Sequence, residues 1–201
     1  MMLKKYDDAL SDCKAATSLD PSFTKGYMRG AKCYSQRGML WEAKDMLQKV
    51  LARDAASAEA IKEMASIEQL EKDIAEAKAK LAASDYDRAS YYVDRILPLC
   101  PDATSVMAMR AELLIGRKKF DDAASITWAL LAKDRNNPDL LHLRGKALLY
   151  GGSSDQAMKH FQEALRVDPD HARARNGLKG NLNPPIKTLS PKLVELGHEC
   201  A

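Results

Sequence analysis

Apolar positions along this chain recur at steps of three and four, the spacing of one helix face, and the recurring stretches show no strand-like alternation. In TKGYMRGAKCY, residues 24–34, Tyr27, Gly30, Ala31 and Tyr34 share a face. Lys25 and Arg29, four apart, stack on a different strip of the same helix with no acid between them. Further on, Ile61, Met64, Ile67, Leu70, Ile74, Ala77 and Leu81 form one long stripe. No glycine lies between Gly38 and Gly116 and no proline between Pro21 and Pro98, so nothing breaks that stretch. The pattern predicts one helix over residues 57–82, and without a sustained heptad it is not a coiled coil.

The helical stretches repeat. KKYDDALSDCKAATSLDP, SDYDRASYYVDRILPLCPD and GSSDQAMKHFQEALRVDPD each carry a small Ala followed twelve residues later by Pro: Ala9 and Pro21, Ala89 and Pro101, Ala157 and Pro169. Two copies without the proline, around Ala43 and Ala123, fill the gaps. The alanines therefore step by 34, 46, 34 and 34 residues, a 34-residue period with one 12-residue insertion.

That period and its residue pattern resemble the tetratricopeptide (TPR) family, whose unit is a helix A, a tight turn and a helix B with small residues where the two approach. The helix A positions are met by Tyr27, Ala31 and Tyr34 in one unit and by Leu141, Gly145 and Leu148 in the last; Ala157, Phe161, Ala164 and Pro169 meet those of helix B. Pentatricopeptide repeats, which read RNA, run slightly longer and fit the Ala and Asp-Pro positions less well. The resemblance covers residues 4–180. It implies an all-α fold, a TPR helix-turn-helix solenoid winding as a right-handed superhelix, with the long helix linking two modules. Residues 1–69 are expected to be the remnant of a first module: helix B of one unit (5–19), a full unit and the start of the linker helix. Residues 70–180 form a second module of about three units. Residues 181–201, with three prolines and no repeat signature, are expected to be a flexible tail with a short helix near Pro191 to Leu196.

TPR units line their groove with helix A side chains, and one subgroup uses them as a carboxylate clamp for the acidic Glu-Glu-Val-Asp tails of heat-shock-seventy and heat-shock-ninety class chaperones. The resemblance places Lys25 and Arg29 at the third-unit clamp positions, where the lysine makes a point contact and the arginine a forked one. The remaining clamp positions fall ahead of Met1 in register. In the second module the corresponding positions hold Glu71, Ala75, Met109, Asp139 and Leu143, two acids and no cation. The order and spacing of units, GAKCY, the long linker helix and DPDHARA are similar to TPR co-chaperones that carry a J domain. The His-Pro-Asp of that domain does not occur in this sequence. The function implied is a non-catalytic, co-chaperone-like adaptor in protein folding, which holds client proteins in its second groove. The alternative is a general TPR scaffold with another protein partner.

Composition changes little in this picture. Of 201 residues 46% are hydrophobic, enough for a core, and 31 Lys plus Arg against 28 acids leave +3, with the signs interspersed. Arg173, Arg175 and Lys179 offer a minor alternative reading as RNA contacts, but no nucleic-acid partner is expected, and no apolar run reaches membrane-spanning length. Cys13, Cys33, Cys100 and Cys200 lack paired spacing, which favours a reducing compartment; a cytoplasmic location, extending to the nucleus, is expected. The four histidines show no metal spacing and no Gly-rich loop follows a strand, so neither enzyme activity, metal nor cofactor is expected. Asp7, Asp8, Asp121 and Asp122 read as acids at the starts of helices B, Gly151 and Gly152 as a turn, Cys13 and Cys33 as packing residues, and Trp41 and Trp128 as core or half-buried.

Overall fold

A computed structural model describes residues 2–180, with side chains from Tyr6. All of its regular elements are helices: α1 (Met2–Leu19), α2 (Thr24–Gln36), α3 (Leu40–Leu51), α4 (Ala58–Ala82), α5 (Tyr86–Ile96), α6 (Thr104–Gly116), α7 (Phe120–Lys133), α8 (Pro138–Tyr150), α9 (Ser154–Val167) and α10 (Ala172–Leu178). The chain divides into two compact units, Met1–Leu113 and Leu114–Ala201. That division concerns compactness; the module boundary expected at residues 69/70 concerns repeat phase and lies within α4. The expected tail, 181–201, with its short helix, falls outside the described residues.

The repeat is written into the turns. Left-handed residues sit at Gly38, Ser84, Lys118 and Gly152, each between a helix A and its helix B. They are spaced like Ala43, Ala89, Ala123 and Ala157, so all four turns bend at one repeat position. Glycine takes positive φ without a Cβ penalty, whereas serine and lysine pay about 1–2 kcal/mol for it.

In the first unit, α2 packs on α1 and α3, and α3 on α4. Their core is Leu10, Tyr27, Ala31, Tyr34, Ala43, Leu47, Val50, Ala60 and Ile67. The C-terminal half of α4 serves another core, where Leu70, Ala77 and Leu81 meet Ala89, Val93 and Ile96 of α5 and Val106 of α6. The long helix thus serves two cores, and the expected stripe departs at one position. Ile61 holds the repeat position of Tyr27, which packs on α3, yet it is 50% exposed. Its own helix B, α5, is shifted along by the 12-residue insertion and covers the other half of α4.

In the second unit α8 packs against α7 and α9, and α10 against α8 and α9. Phe161 is fully buried beside Leu148, Leu149, Tyr150, Met158 and Leu178. Gly145 and Gly177 let α8 and α10 close on its ring: a Cβ on either would lie 2.5 Å or 2.9 Å from its Cε1. Among the described residues no helix is long and apolar enough to cross a membrane.

Candidate functional site

The segment ahead of α2 is a tight turn. The Ser22 amide donates to Asp20 Oδ1 at 2.8 Å and its hydroxyl to the same oxygen at 2.6 Å, which holds the Asp20 carboxyl below the usual range. Phe23 then folds over the first turn of α2, where a Cβ on Gly26 would meet its Cδ1 at 2.7 Å and Thr17 Cγ2 at 2.9 Å. A Cβ on Gly30 would lie 3.7 Å from Cys13 Cβ of α1, an ordinary contact, and Tyr27, Ala31 and Tyr34 turn into the core. Tyr27 is covered by the Arg53 guanidinium at 5.1 Å and Tyr34 by Lys14 Nζ at 5.9 Å.

This packing leaves one strip of α2 in solvent, holding Lys25, Arg29 and Lys32. None of the three makes an ion pair or a side-chain hydrogen bond among the described residues. Burial pushes the Cys13 and Cys33 thiols up; Cys33 adds to the shift of Cys13 and Arg29 opposes it. Raised thiols are poorly ionised near neutral pH, consistent with the packing role expected for both.

At the equivalent positions of the second module Ala75 is exposed, and the other side chains are paired or buried. Lys44 Nζ donates to Glu71 Oε2 at 2.5 Å. Met109 and Leu143 are buried, and Asp139 binds Arg173 and, at 2.9 Å, His171 Nε2. His171 also caps α10, its Nδ1 accepting from the Ala174 amide at 3.1 Å, so its proton sits on Nε2 and is donated to Asp139. The hydrogen bond from His171 and the Arg173 charge hold the Asp139 carboxyl low. Arg175 donates to the Pro169 carbonyl at 2.7 Å, so two of the three cations of the RNA alternative have partners in the chain.

Both tryptophans depart from expectation: Trp41 is 76% and Trp128 64% exposed. The packing faces of their helices are taken by Ala43, Leu47 and Val50 in α3 and by Ala123, Thr127 and Leu130 in α7. Trp128 is instead covered on one side by the Arg144 guanidinium at 4.9 Å. Arg144 also donates to the Ala124 carbonyl at 2.7 Å and to His160 Nε2 at 3.1 Å. Of the acids read as helix starts, Asp121 and Asp122 sit in the first turn of α7. Asp7 and Asp8 do not, because α1 begins at Met2; Asp7 pairs with Arg37 instead. Among the described residues no group of three His, Cys, Asp or Glu could hold a metal ion.

Comparison with known proteins agrees with the fold. Residues 138–171, α8 and α9 with the turn to α10, match the family profile described as tetratricopeptide repeat. The chain is 29% identical over 179 residues to the DnaJ protein P58IPK homolog of Arabidopsis thaliana, covering 89% of this chain and 37% of that protein. It is 29% identical over 174 residues to DnaJ homolog subfamily C member 7 of Homo sapiens, covering 87% of this chain and 35% of that protein. The chain thus spans about a third of the length of these relatives. The crystal structure of the P58(IPK) TPR domain superposes with a TM-score of 0.67 at 18% identity, covering 96% of this chain and 53% of that one, and shows the fold alone. The chain folds as a tetratricopeptide-repeat array and is similar over most of its length to part of the DnaJ homolog subfamily C member 7 and P58IPK proteins.

Proposed function

We propose that this chain is a non-catalytic protein-interaction adaptor of the co-chaperone type, and that Lys25 and Arg29 anchor the acidic carboxyl-terminal tails of heat-shock-seventy and heat-shock-ninety class chaperones. One observation carries this reading: two cations four residues apart are held in solvent on helix A of a repeat unit, and neither has an ion-pair partner among the described residues. An extended peptide ending in a carboxylate supplies the missing acid, the guanidinium binding it as a fork and the ammonium as a point charge. The similarity to DnaJ-named proteins supports the class of partner. The face of α2 that carries Gly26, Tyr27, Gly30, Ala31 and Tyr34 is committed to packing, which leaves these two side chains in solvent.

Peptide titration tests this. A charge-assisted hydrogen bond is worth about 1.5–3 kcal/mol, so Arg29→Ala should weaken binding of a free-carboxylate Glu-Glu-Val-Asp peptide by about tenfold to a hundredfold. Amidating the peptide should cost a similar factor in the parent and little more in the variant. Lys32→Ala, on the same exposed strip but outside the matched pair, should change affinity by less than about twofold. If Lys32 matters as much as Arg29, the strip is a diffuse basic surface and no clamp.

A further inference from the structure

One six-residue stretch occurs twice in the chain, as KKYDDA at residues 4–9 and as KKFDDA at 118–123, with only Tyr6 and Phe120 differing. Ala9 and Ala123 hold one repeat position, and in the same phase Arg37 corresponds to Gly151. Packing keeps the correspondence: α2 lies on α1 as α8 lies on α7, and Arg37 and Gly151 each follow the last residue of their helix. In the first copy Arg37 reaches back to the helix before it, Nη1 donating to Asp7 Oδ1 at 2.5 Å. In the second copy glycine has no side chain to do the same. Asp121 and Asp122 are exposed, and neither makes an ion pair or a side-chain hydrogen bond among the described residues. A pocket of about 350 Å³ stands there, lined by Lys118, Lys119, Phe120, Asp121, Asp122 and Gly151. A Cβ on Gly151 would lie 3.4 Å from Phe120 Cβ, and the Phe120 ring meets that of Tyr150 edge-on at 5.9 Å.

We infer that this pocket is a socket for an arginine side chain of a partner protein, whose guanidinium takes on Asp121 the place that Arg37 takes on Asp7. A planar guanidinium forks onto a carboxylate and lies against an aromatic ring, and both are present; a lysine offers a point charge alone. The two lysines at the rim do not bar a cation, since Lys4 and Lys5 stand at the same places ahead of Asp7 and Arg37 pairs there. Residues 181–201 contain no arginine, so that segment does not supply the guanidinium. The socket belongs to the second compact unit and is independent of the reading of Lys25 and Arg29.

The test uses the whole chain, labelled for NMR, and two probes of equal charge, acetyl-arginine amide and acetyl-lysine amide, titrated through the millimolar range. The arginine probe should shift the amides of Phe120, Asp121 and Gly151 saturably and bind about twofold to fivefold more tightly than the lysine probe, the range for an exposed ion pair. Asp121→Asn should weaken it by a similar factor. The amides of Asp7 and Asp8, where Arg37 already sits, should not move. No saturable shift, equal affinity for the two probes, or equal movement at Asp7 and Asp8 would each overturn the socket and leave only an acidic surface. A second arm fills the pocket from within and needs no probe. In the Gly151→Arg background, Asp121→Asn should lower the melting temperature by about 1–3 °C more than it does in the parent, with circular dichroism confirming that each variant folds. Strict additivity would mean that no guanidinium seats on Asp121, and the proposal fails.

Discussion

At the scale of single residues, His142 couples the fold to pH. It is only 8% exposed in α8, its ring 5.9 Å from that of Phe161 and 5.8 Å from that of His171. Burial first, then the Arg173 and Lys146 charges, push its imidazole down to about 3. An unfolded histidine titrates near 6.5, so between about pH 6.5 and 3 the unfolded chain binds a proton that the folded chain refuses. The contribution is therefore complete above pH 6.5 and falls by about 1.4 kcal/mol per pH unit below it. His160, lowered by burial and by Arg144, acts in the same direction, and the low Asp139 carboxyl loses its contribution only at more acid pH. Urea unfolding at pH 7 and pH 5 should show a shallower loss in His142→Leu than in the parent, by about one proton; equal losses would mean that His142 is charged in the folded state.

At the scale of elements, the approach of α8, α9 and α10 is set by two glycines against one phenyl ring. Gly145→Ala brings two opposing effects. Alanine favours a helix interior by about 1 kcal/mol over glycine. Its Cβ, however, would stand 2.5 Å and 2.7 Å from two carbons of Phe161, a fully buried ring that Gly177 confines from another side. Held between Gly145 and Gly177, the buried ring cannot move from one without closing on the other, so overpacking, about 1–3 kcal/mol, wins. Gly145→Ala should lower stability by about 1–2 kcal/mol, and Phe161→Leu in that background should cost less than in the parent, because the smaller side chain relieves the clash. Strict additivity in that double-mutant cycle would show that the glycine does not act through Phe161. The pair Gly145 and Phe161 was legible as repeat signature; that Gly177 of α10 closes the same pocket was not, because a seven-residue helix has too short a pattern to register.

At the scale of the whole molecule, repeat arrays draw stability from nearest neighbours, so a helix protected by fewer neighbours opens more often. Helix α1 packs on α2, whereas α9 packs on both α8 and α10. Amides of residues 6–19 should therefore exchange faster than those of 157–164, and equal protection would reveal another contact over α1. The all-helical fold, the repeat period and the helix from 57 to 82 were readable in the chain, because they depend on local spacing: small residues where helices touch, apolar steps of three and four, and breakers where they end. So was the isolation of Lys25 and Arg29 from acids along their own helix. Tertiary structure decided what depends on residues far apart in sequence. It spent Glu71 on Lys44 and Asp139 on His171 and Arg173, and it put Trp41 and Trp128 outside because smaller neighbours fill the contact face. It also exposed Ile61, since the insertion moved its covering helix further along the chain, and placed Ser84 and Lys118 in left-handed turns where the period, not the residue's preference, sets the backbone. Local pattern determines which segments become helices; only packing between helices determines which faces remain for a partner.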